Sequence, residues 1–324
     1  MDKTTMIDLN GKKILLVRND NVGDLICTTP AIEALRKKYP NNQIDIVVNS
    51  YNYEAIYNNP FINKIYCYTK PKHKKSLLNK ISAGVGKLKI LLDIYRENYD
   101  VVIVFRSGYS KSAELFSKIT KASYKVGVKN PKGKDDFNIY VSSNELQHEV
   151  EFCLDCLKEF GVTYNNEKTL YFIEEELFSK YTDFSDYILF HISSRIKENK
   201  YSKENFKKIF DLLKDEKIII SAEPDDFEMA KWLDENTNAT FIKTKSLQDL
   251  GGLIKNVKLL VTLDGGAMHL GPAVGTKTIS ISGKTNMNKW YPWGYKDFVI
   301  QSENRIAEEI NVECLFQKLK DYKN

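Results

Sequence analysis

Three short stretches of the 324-residue sequence contain residues that could bind a phosphate group or move a proton. The first follows the opening apolar run and extends from Arg18 to Pro30, with Gly23 directly before Asp24. In a parallel α/β sheet ligands bind beyond the carboxyl ends of the strands, and a carboxylate placed there can serve as a general base. Spacing alone nevertheless favours an ordinary helix N-terminal carboxylate for Asp24.

The second stretch begins with Asp264, Gly265 and Gly266 and continues to His269. Two glycines at a helix start expose backbone N–H groups and the positive end of the helix dipole, which suits a diphosphate. The spacing differs from G-x-G-x-x-G, which argues against a standard dinucleotide-binding fold. A Gly-rich turn, with Asp264 capping the helix and His269 packed inside, explains this stretch equally well.

The third stretch is a strand end at His191, followed by the hydroxyls of Ser193 and Ser194 and by a basic loop that includes Lys200. Hydroxyls and a lysine beyond a strand can bind phosphate oxygens. Taken alone, this stretch is better explained as a solvated basic loop.

The elements that must position these residues alternate between short apolar runs and helical patterns. The predicted strands are residues 13–18, 44–49, 65–68, 101–105, 187–191, 217–221, 239–242, 259–263 and 278–282. The predicted helices are residues 29–39, 75–97, part of 141–160, 203–213, 226–235, 247–254, 267–274 and 307–322. This alternation predicts an α/β protein with two Rossmann-like domains, residues 1–170 and 171–324, which face each other across a central cleft.

The net charge of +5 conceals a basic segment. Residues 70–134 contain 16 Lys and Arg against 4 Asp and Glu, a net charge of +12, so the remainder carries about −7. Within it Lys72, Lys74, Lys75, Lys80, Lys87 and Lys89 alternate with Leu77, Leu78, Ile81 and Leu88. We expect this segment to attract an anion, such as an anionic membrane surface, a phosphorylated acceptor or nucleic acid, although a solvated lysine face explains it as well. It contains no recognised nucleic-acid-binding module, so nucleic acid is not an expected partner.

The composition argues against several other classes of protein. Five scattered cysteines do not form a disulfide framework, and the Cys153/Cys156 pair has no second pair of ligands for zinc. His148-Glu149 lacks the second histidine of a metalloprotease motif. No apolar run approaches the ~20 residues that span a bilayer, and the first residues do not resemble a signal peptide. We therefore expect a cytoplasmic protein, peripheral at a membrane at most.

Taken in order, the motifs resemble those of glycosyltransferase family 9, the bacterial lipopolysaccharide heptosyltransferases, over nearly the whole chain. The family's R-x-x-x-x-G-D-x-x-x-T-x-P motif matches Arg18, Gly23, Asp24, Thr28 and Pro30. Further matches are His148-Glu149-Val150, His191 with Ser193-Ser194, Lys200-Tyr201, Asp264 with Gly266, His269 and Leu270, Gly283-Lys284-Thr285, and Trp290 to Gly294. The sequence departs from the family at Gly265, where a Ser or Thr is usual, at Tyr201-Ser202 in place of Trp-Pro, and at the turn after His191.

The resemblance implies a GT-B fold, with the acceptor on the N-terminal domain and the nucleotide sugar on the C-terminal one. It implies inverting transfer without a metal or another cofactor, with ADP-heptose as donor and a lipopolysaccharide core or related glycan as acceptor. It assigns the general base to Asp24, whose pKa we expect partial desolvation to raise toward neutrality, and the leaving-group stabiliser to Lys200. The implied donor-binding residues are Ser193, Ser194, Asp264, Gly265, Gly266, His269 and, for the ribose, Glu223 or Asp226.

Two alternatives remain open from the sequence. One is a non-catalytic relative that binds a nucleotide sugar, although the presence of both Asp24 and Lys200 favours an enzyme. The other is a nucleotide-sugar epimerase on the same fold, which would release free nucleotide without any acceptor.

Overall fold

The computed structural model describes residues 6–70, 77–163 and 168–321, with the side chains of residues 77–81 left aside. The chain divides into two compact units, residues 1–167 and 168–324. Each described unit is an α/β fold built on a six-stranded parallel sheet.

Unit 1 has the strand order β3-β2-β1-β4-β5-β6, and every pair of neighbouring strands is parallel. Because parallel neighbours require crossover connections, helices cover the sheet. The strands are β1 (Lys13–Val17), β2 (Gln43–Asn49), β3 (Lys64–Tyr68), β4 (Val101–Val104), β5 (Tyr124–Gly127) and β6 (Ile139–Tyr140). The helices are α1 (Val22–Lys38), α2 (Leu77–Glu97), α3 (Lys111–Lys118) and α4 (Glu149–Asp155).

Unit 2 repeats this architecture with the strand order β12-β11-β10-β7-β8-β9, again parallel throughout. Its strands are β7 (Ile188–His191), β8 (Ile218–Ser221), β9 (Ala239–Phe241), β10 (Leu259–Leu263), β11 (Thr278–Ser282) and β12 (Val299–Gln301). Its helices are α5 (Glu175–Ser179), α6 (Lys203–Leu212), α7 (Phe227–Asn236), α8 (Leu247–Lys255), α9 (Gly266–Ala273), α10 (Met287–Trp290) and α11 (Val312–Asp321). The apolar faces of β7, β8, β10 and β11 pack against α6, α7 and α11 to form the core.

Helix α1 begins earlier than predicted, at Val22 instead of residue 29, and continues through Pro30. Proline has no N–H to donate to the carbonyl four residues before it, so the Ile26 carbonyl loses its helical partner. The Thr29 hydroxyl donates to that carbonyl at 2.7 Å instead. This replacement lets one helix include Asp24 in its first turn.

The apolar runs locate the nine predicted strands to within one residue at either end, but other elements differ from the prediction. The short strands β5, β6 and β12 and the helices α3, α5 and α10 were not predicted. The last helix begins at Val312, not at residue 307, because residues 307–309 form a separate 3₁₀ turn. The helix within 141–160 is confined to α4, followed by a 3₁₀ turn that ends at Gly161 with φ +62°, as a C-cap requires.

Two further findings bear on the predictions from composition. None of the five cysteines forms a disulfide bond with another. Among the described residues, no helix combines the length and the apolar character needed to cross a membrane.

The close packing at Gly283, just after β11, generates a prediction for stability. A Cβ atom at this position would overlap the Glu198 carbonyl oxygen and approach the Ala307 nitrogen to 2.7 Å, so backbone would have to move. We expect Gly283→Ala to lower the free energy of unfolding of unit 2 by about 1–3 kcal/mol, as overpacking does, measured by denaturant titration.

Gly84 in α2 offers the matched control, because a Cβ built there meets no atom within 4 Å. Gly84→Ala should leave stability unchanged or raise it by up to ~1 kcal/mol, since alanine favours the helix. Equal stability of the Gly283→Ala protein and the native protein would contradict the packing described here.

Candidate active site

The candidate site residues of unit 1 surround a single buried arginine. Arg18 directly follows β1 and its side chain is fully buried. Its Nε donates to Asp20 Oδ1 at 2.9 Å, its Nη2 to Asp24 Oδ1 at 2.7 Å and its Nη1 to Glu149 Oε1 at 2.8 Å. Nη1 also donates to the carbonyl oxygen of Phe105, beyond β4. The arginine therefore holds three carboxylates from two helix starts and one turn at the carboxyl end of the sheet.

The capped N-terminus of α4 positions Glu149 next to this arginine. The Nδ1 atom of His148 accepts from the Val150 N–H at 3.1 Å, and Glu151 accepts from the His148 N–H at 2.9 Å, which completes a capping box. The His148-Glu149-Val150 motif of the sequence thus fixes a buried partner of Arg18.

Asp24 is ionised at neutral pH, contrary to the expected upward shift of its pKa. Burial alone would raise the pKa of Asp24, but Arg18 and hydrogen bonds from Asn21 and Asp20 outweigh burial and lower it. The side chain remains 15% exposed. The prediction of a neutral-range pKa for Asp24 is therefore wrong, because the sequence did not reveal the cation beneath it.

The carboxyl group whose pKa does reach the neutral range is Asp20, which the sequence analysis did not single out. Burial raises the pKa of Asp20 to about 7, reinforced by the charge of Asp24 and opposed by Arg18 and Arg106. The Arg106 guanidinium lies 3.4 Å from the second oxygen of Asp20. The sequence signal that could have identified Asp20 was its position in the turn after β1, between the two family-matched residues Arg18 and Asp24.

In unit 2 the remaining predicted residues lie on loops at the carboxyl ends of β7, β8 and β10, which are neighbours in the sheet, or in α9, which follows β10. Ser193 Oγ, beyond β7, accepts from the backbone N–H of Glu223, beyond β8, at 2.8 Å. The adjacent Ser194 hydroxyl is buried, and within the described part of the chain it has no hydrogen-bond partner. Because an unpaired buried hydroxyl is costly, Ser194 is suited to a ligand oxygen.

Asp264 organises the loops around this edge. Its Oδ2 accepts from the Asn199 amide at 2.7 Å and from the Thr285 hydroxyl at 2.8 Å. Asn199 in turn accepts from the Gly283 N–H at 2.9 Å. Burial raises the pKa of Asp264, while the bonds from Thr285 and Asn199 oppose the shift. The alternative in which Asp264 caps α9 is not observed, since Gly265 occupies the N-cap position.

The N-cap residue of α9, Gly265, has no side chain that could accept a hydrogen bond from the first N–H groups of the helix. Gly265 lies next to the loop that follows β7. A Cβ atom added to Gly265 would be 3.9 Å from the Ser193 carbonyl oxygen, which is an ordinary contact distance. His269 is buried and meets the ring of Trp290 edge-on, with the centroids 6.0 Å apart.

Lys200 and the two candidate ribose ligands lie beside one another. Lys200 Nζ is 3.2 Å from Asp226 Oδ1, and about half of the lysine side chain is exposed. The Glu223 side chain is exposed, whereas that of Asp226 is largely covered. The strand-end His191 is buried against the Ser221 hydroxyl at 2.9 Å, and burial lowers its pKa to about 4.

Comparisons with known proteins identify a family and a fold. Residues 88–320 match the family described as glycosyltransferase family 9 (heptosyltransferase). The lipopolysaccharide heptosyltransferase 3 of Escherichia coli (strain K12) is 24% identical over 295 residues, which cover 84% of this chain and 82% of that protein.

Solved structures show the same fold, which is GT-B, as predicted. The E. coli heptosyltransferase WaaC with ADP has a TM-score of 0.82 at 19% identity, covering 95% of this chain and 99% of that one. WaaC with ADP-2-deoxy-2-fluoro heptose has a TM-score of 0.79 at 20% identity, covering 96% and 99%.

The opposite pKa shifts of Asp20 and His191 generate a prediction for pH dependence. The pKa of Asp20 rises from 3.8 to about 7, so between these values the folded protein binds the extra proton. The stability that this raised pKa contributes is fully present below about pH 4 and is lost as pH rises through 7. Relative to the native protein, Asp20→Asn should gain stability with rising pH across this window, by up to ~1.4 kcal/mol per pH unit in denaturant titrations.

His191 supplies the control of opposite sign, since burial lowers its pKa from 6.5 to about 4. Here the unfolded chain binds the extra proton, so this contribution is lost as pH falls from 6.5 to 4. Relative to the native protein, His191→Asn should lose stability with rising pH over that range. A pH-independent difference for Asp20→Asn would show that Asp20 has an ordinary pKa.

Proposed function

The chain belongs to glycosyltransferase family 9, and we propose that it transfers heptose from ADP-heptose to a lipopolysaccharide core or related glycan with inversion of the anomeric centre. The observation that carries the donor assignment is the polar edge of unit 2, where the Ser194 hydroxyl and the start of α9 lie on neighbouring loops. The similar WaaC structures with ADP and with a fluorinated ADP-heptose support an adenine nucleotide.

In this proposal the diphosphate binds to the N–H groups at Gly265 and Gly266 and to the Ser193-Ser194 loop. A helix N-terminus attracts anions through both its N–H groups and its dipole. Lys200, half exposed and held by Asp226, stabilises the negative charge of the departing nucleoside diphosphate. His269, which belongs to α9, packs edge-on against the Trp290 ring and so helps to hold the helix in place.

The exposed carboxylate of Glu223 is the better candidate for the ribose hydroxyls, because Asp226 is already paired with Lys200. Asp264 supports the donor site indirectly through Asn199 and Thr285.

Asp24 is the proposed general base. It is ionised, partly exposed and fixed by Arg18, so it can accept the proton of the acceptor hydroxyl. The electron pair of that O–H bond then forms the bond to the anomeric carbon, while the C–O bond to the diphosphate breaks and its electrons leave with ADP. The lysine and the helix N-terminus neutralise this charge in the proposal, without a metal ion.

The test separates chemistry from donor binding. Asp24→Asn should reduce transfer to a truncated lipopolysaccharide acceptor by ~10²–10⁴-fold, since it removes the base, while ADP binding persists. Lys200→Ala should instead weaken ADP binding, seen as a smaller stabilisation than the ~2.7 kcal/mol expected at 100 times Kd. Product mass and calorimetry with several nucleotide sugars provide the measurements.

Lys197→Ala is the matched control, because this exposed lysine lies three residues before Lys200 and has no role in the proposal. It should leave ADP binding unchanged. Free nucleotide released without any acceptor would instead indicate an epimerase, and binding without turnover a non-catalytic relative.

We further propose that unit 1 binds an anionic membrane surface through α2. Lys72, Lys74 and Lys75 of the predicted basic segment lie outside the described residues, as do the side chains of Leu77, Leu78, Lys80 and Ile81. Farther along the helix, Val85, Leu88, Leu92 and Tyr95 form an apolar stripe, with exposures of 63, 58, 44 and 46%.

This stripe, Val85/Leu88/Leu92/Tyr95, is adjacent to exposed cations. Lys89 and Arg96 are exposed on the same helix, and the Lys121 ammonium lies 5.2 Å from the Tyr95 ring centre. A helix with apolar residues and cations at one surface suits the headgroup region of an anionic bilayer. Its position in the unit assigned to the acceptor supports a lipid-linked acceptor.

Vesicle co-sedimentation tests this proposal. The native protein should bind anionic vesicles at low salt and dissociate as salt rises. Salt screens the attraction, whose range falls to a Debye length of ~8 Å at physiological ionic strength. Leu88→Gln with Leu92→Gln should reduce binding, whereas Leu146→Gln, at an exposed leucine in a loop of the same unit, should not. Equal binding to neutral and anionic vesicles would contradict the proposal.

A further inference from the structure

A lysine ammonium in unit 1 is partly withdrawn from water without a carboxylate to compensate its charge. Lys87 lies in α2, and its Nζ atom is 5.1 Å from the centre of the Tyr68 ring and 5.5 Å from the centre of the Phe116 ring. Among the side chains that the structure describes, no carboxylate forms an ion pair with this ammonium. Burial accordingly lowers the pKa of Lys87.

The aromatic rings do not replace a counter-ion for Lys87. A ring face attracts an ammonium through its quadrupole, but it carries no net charge. Lys180 in unit 2 has both kinds of partner, since its Nζ atom lies 4.6 Å from the Tyr181 ring centre and 2.7 Å from Asp249 Oδ1. The hydrogen bond to Asp249 raises the pKa of Lys180. A bound anion would supply to Lys87 what Asp249 supplies to Lys180.

Lys87 lines a cavity of about 290 Å³ between the end of β3 and α2. The other lining residues include Tyr68 and Thr69 at the strand end and Ser82 and Gly86 in the helix. Small-molecule sites usually enclose ~300–1,000 Å³, so this cavity suits one charged substituent of a larger ligand. Thr69 and Ser82 carry hydroxyls, which together with an ammonium can bind the oxygens of a carboxylate or a phosphate.

The cavity lies at the same edge of the sheet as the proposed base Asp24. The Tyr68 hydroxyl accepts from Asn19 Nδ2 at 2.9 Å, and Asn19 belongs to the turn after β1. Asn19 also contacts two further cations, because its carbonyl oxygen accepts from Lys70 Nζ at 2.7 Å and its Oδ1 from Arg106 Nη1 at 3.4 Å. The Arg106 Nε atom is buried and has no hydrogen-bond partner within the described part of the chain. The positive charges at this edge favour a ligand that is itself negatively charged.

We infer that the cavity lined by Lys87 binds an oxyanion of the acceptor, a carboxylate or a phosphate, and that Lys87 thereby determines which acceptors unit 1 binds. The inference rests on the proposed transferase function and adds a charge requirement to it. The Lys87 ammonium donates hydrogen bonds to the oxyanion. The hydroxyl that gives its proton to Asp24 belongs to the same ligand, at the same edge of the sheet.

Binding of simple anions tests the cavity without any transfer reaction. Inorganic phosphate and acetate are titrated by calorimetry into the protein saturated with ADP, so that the proposed donor site is filled. Lys87→Met removes the ammonium and keeps an unbranched apolar stem, and it should weaken binding ~10-fold or more, as loss of a charge-assisted hydrogen bond does. Lys132→Met, at an exposed turn lysine of unit 1 outside the cavity lining, changes the net charge equally and should leave binding unchanged. Native affinity in Lys87→Met, or no binding of either anion by the native protein, overturns the inference.

Gly86 allows the cavity to be filled without removing a charge. A Cβ built at Gly86 meets no atom within 4 Å, and the same holds for Gly84, which is in the same helix but does not line the cavity. Both glycines can therefore be replaced by leucine with a gain in helix propensity and no clash. Gly86→Leu should weaken anion binding, whereas Gly84→Leu should not. Unchanged anion binding in Gly86→Leu would place the anion outside the cavity and contradict the inference.

Transfer assays separate the inference from the proposed function. With an acceptor that carries a phosphate or a carboxylate, Lys87→Met should raise KM ~10-fold and leave kcat near the native value, because the contact is made equally in the ground state and the transition state. With the same acceptor after its anionic groups are removed, Lys87→Met and the native protein should have equal KM values. Equal KM values with the charged acceptor would overturn the inference and leave the transferase proposal intact. Anion binding that depends on Lys87, in a protein that transfers no sugar, would locate the failure in the proposed function.

A lipid headgroup offers the same phosphate chemistry, and vesicle co-sedimentation distinguishes this source from the acceptor. Lys87→Met should bind anionic vesicles as the native protein does, because Lys87 is partly covered by aromatic rings whereas Leu88 and Leu92 are exposed. Loss of vesicle binding in Lys87→Met would assign the cavity to a lipid headgroup and overturn its assignment to the acceptor.

Discussion

The buried guanidinium of Arg18 determines the arrangement of the carboxyl edge of unit 1. A charge removed from water costs several kcal/mol unless hydrogen bonds and opposite charges surround it. Here a backbone carbonyl beyond β4, the turn after β1 and the starts of α1 and α4 all supply partners. The position of each element is therefore tied to one side chain, and the ionisation of Asp24 follows from the same contact.

The excess of carboxylates around this arginine has a chemical effect that a balanced ion pair would lack. A single Arg–Asp pair would leave both groups fixed in charge at neutral pH. Burial raises the pKa of Asp20 to about 7, reinforced by the charge of Asp24 on the same cation, whereas Arg18 keeps the pKa of Asp24 low, so that Asp24 is ionised while Asp20 titrates near neutrality. Paired carboxyls with divided pKa values are the arrangement that general acid–base chemistry uses.

The sequence predicted what depends on local pattern and missed what depends on tertiary contacts. Buried strands such as β10 are continuous apolar runs, and their bounds were read directly. The prediction of a helix over residues 29–39 missed the first seven residues of α1, which continues through Pro30 because the Thr29 hydroxyl replaces the lost hydrogen bond. Motif order identified Asp24, but the pKa values of Asp20 and Asp24 depend on Arg106 and Arg18 folded beside them, which spacing does not reveal. In unit 2, the bonds of Asp264 to Asn199 and Thr285 join loops distant in sequence and could not be predicted either.

The space beside Gly265 means that a change at this residue of the proposed donor site need not disturb the fold. Two glycines of this unit, Gly252 and Gly283, cannot gain a side chain without moving backbone, but a Cβ at Gly265 would meet only one ordinary contact. A hydroxyl-bearing side chain could thus arise there by mutation without a packing penalty, and could equally be lost. A substitution at this position of the proposed donor site would therefore leave the scaffold of unit 2 unchanged.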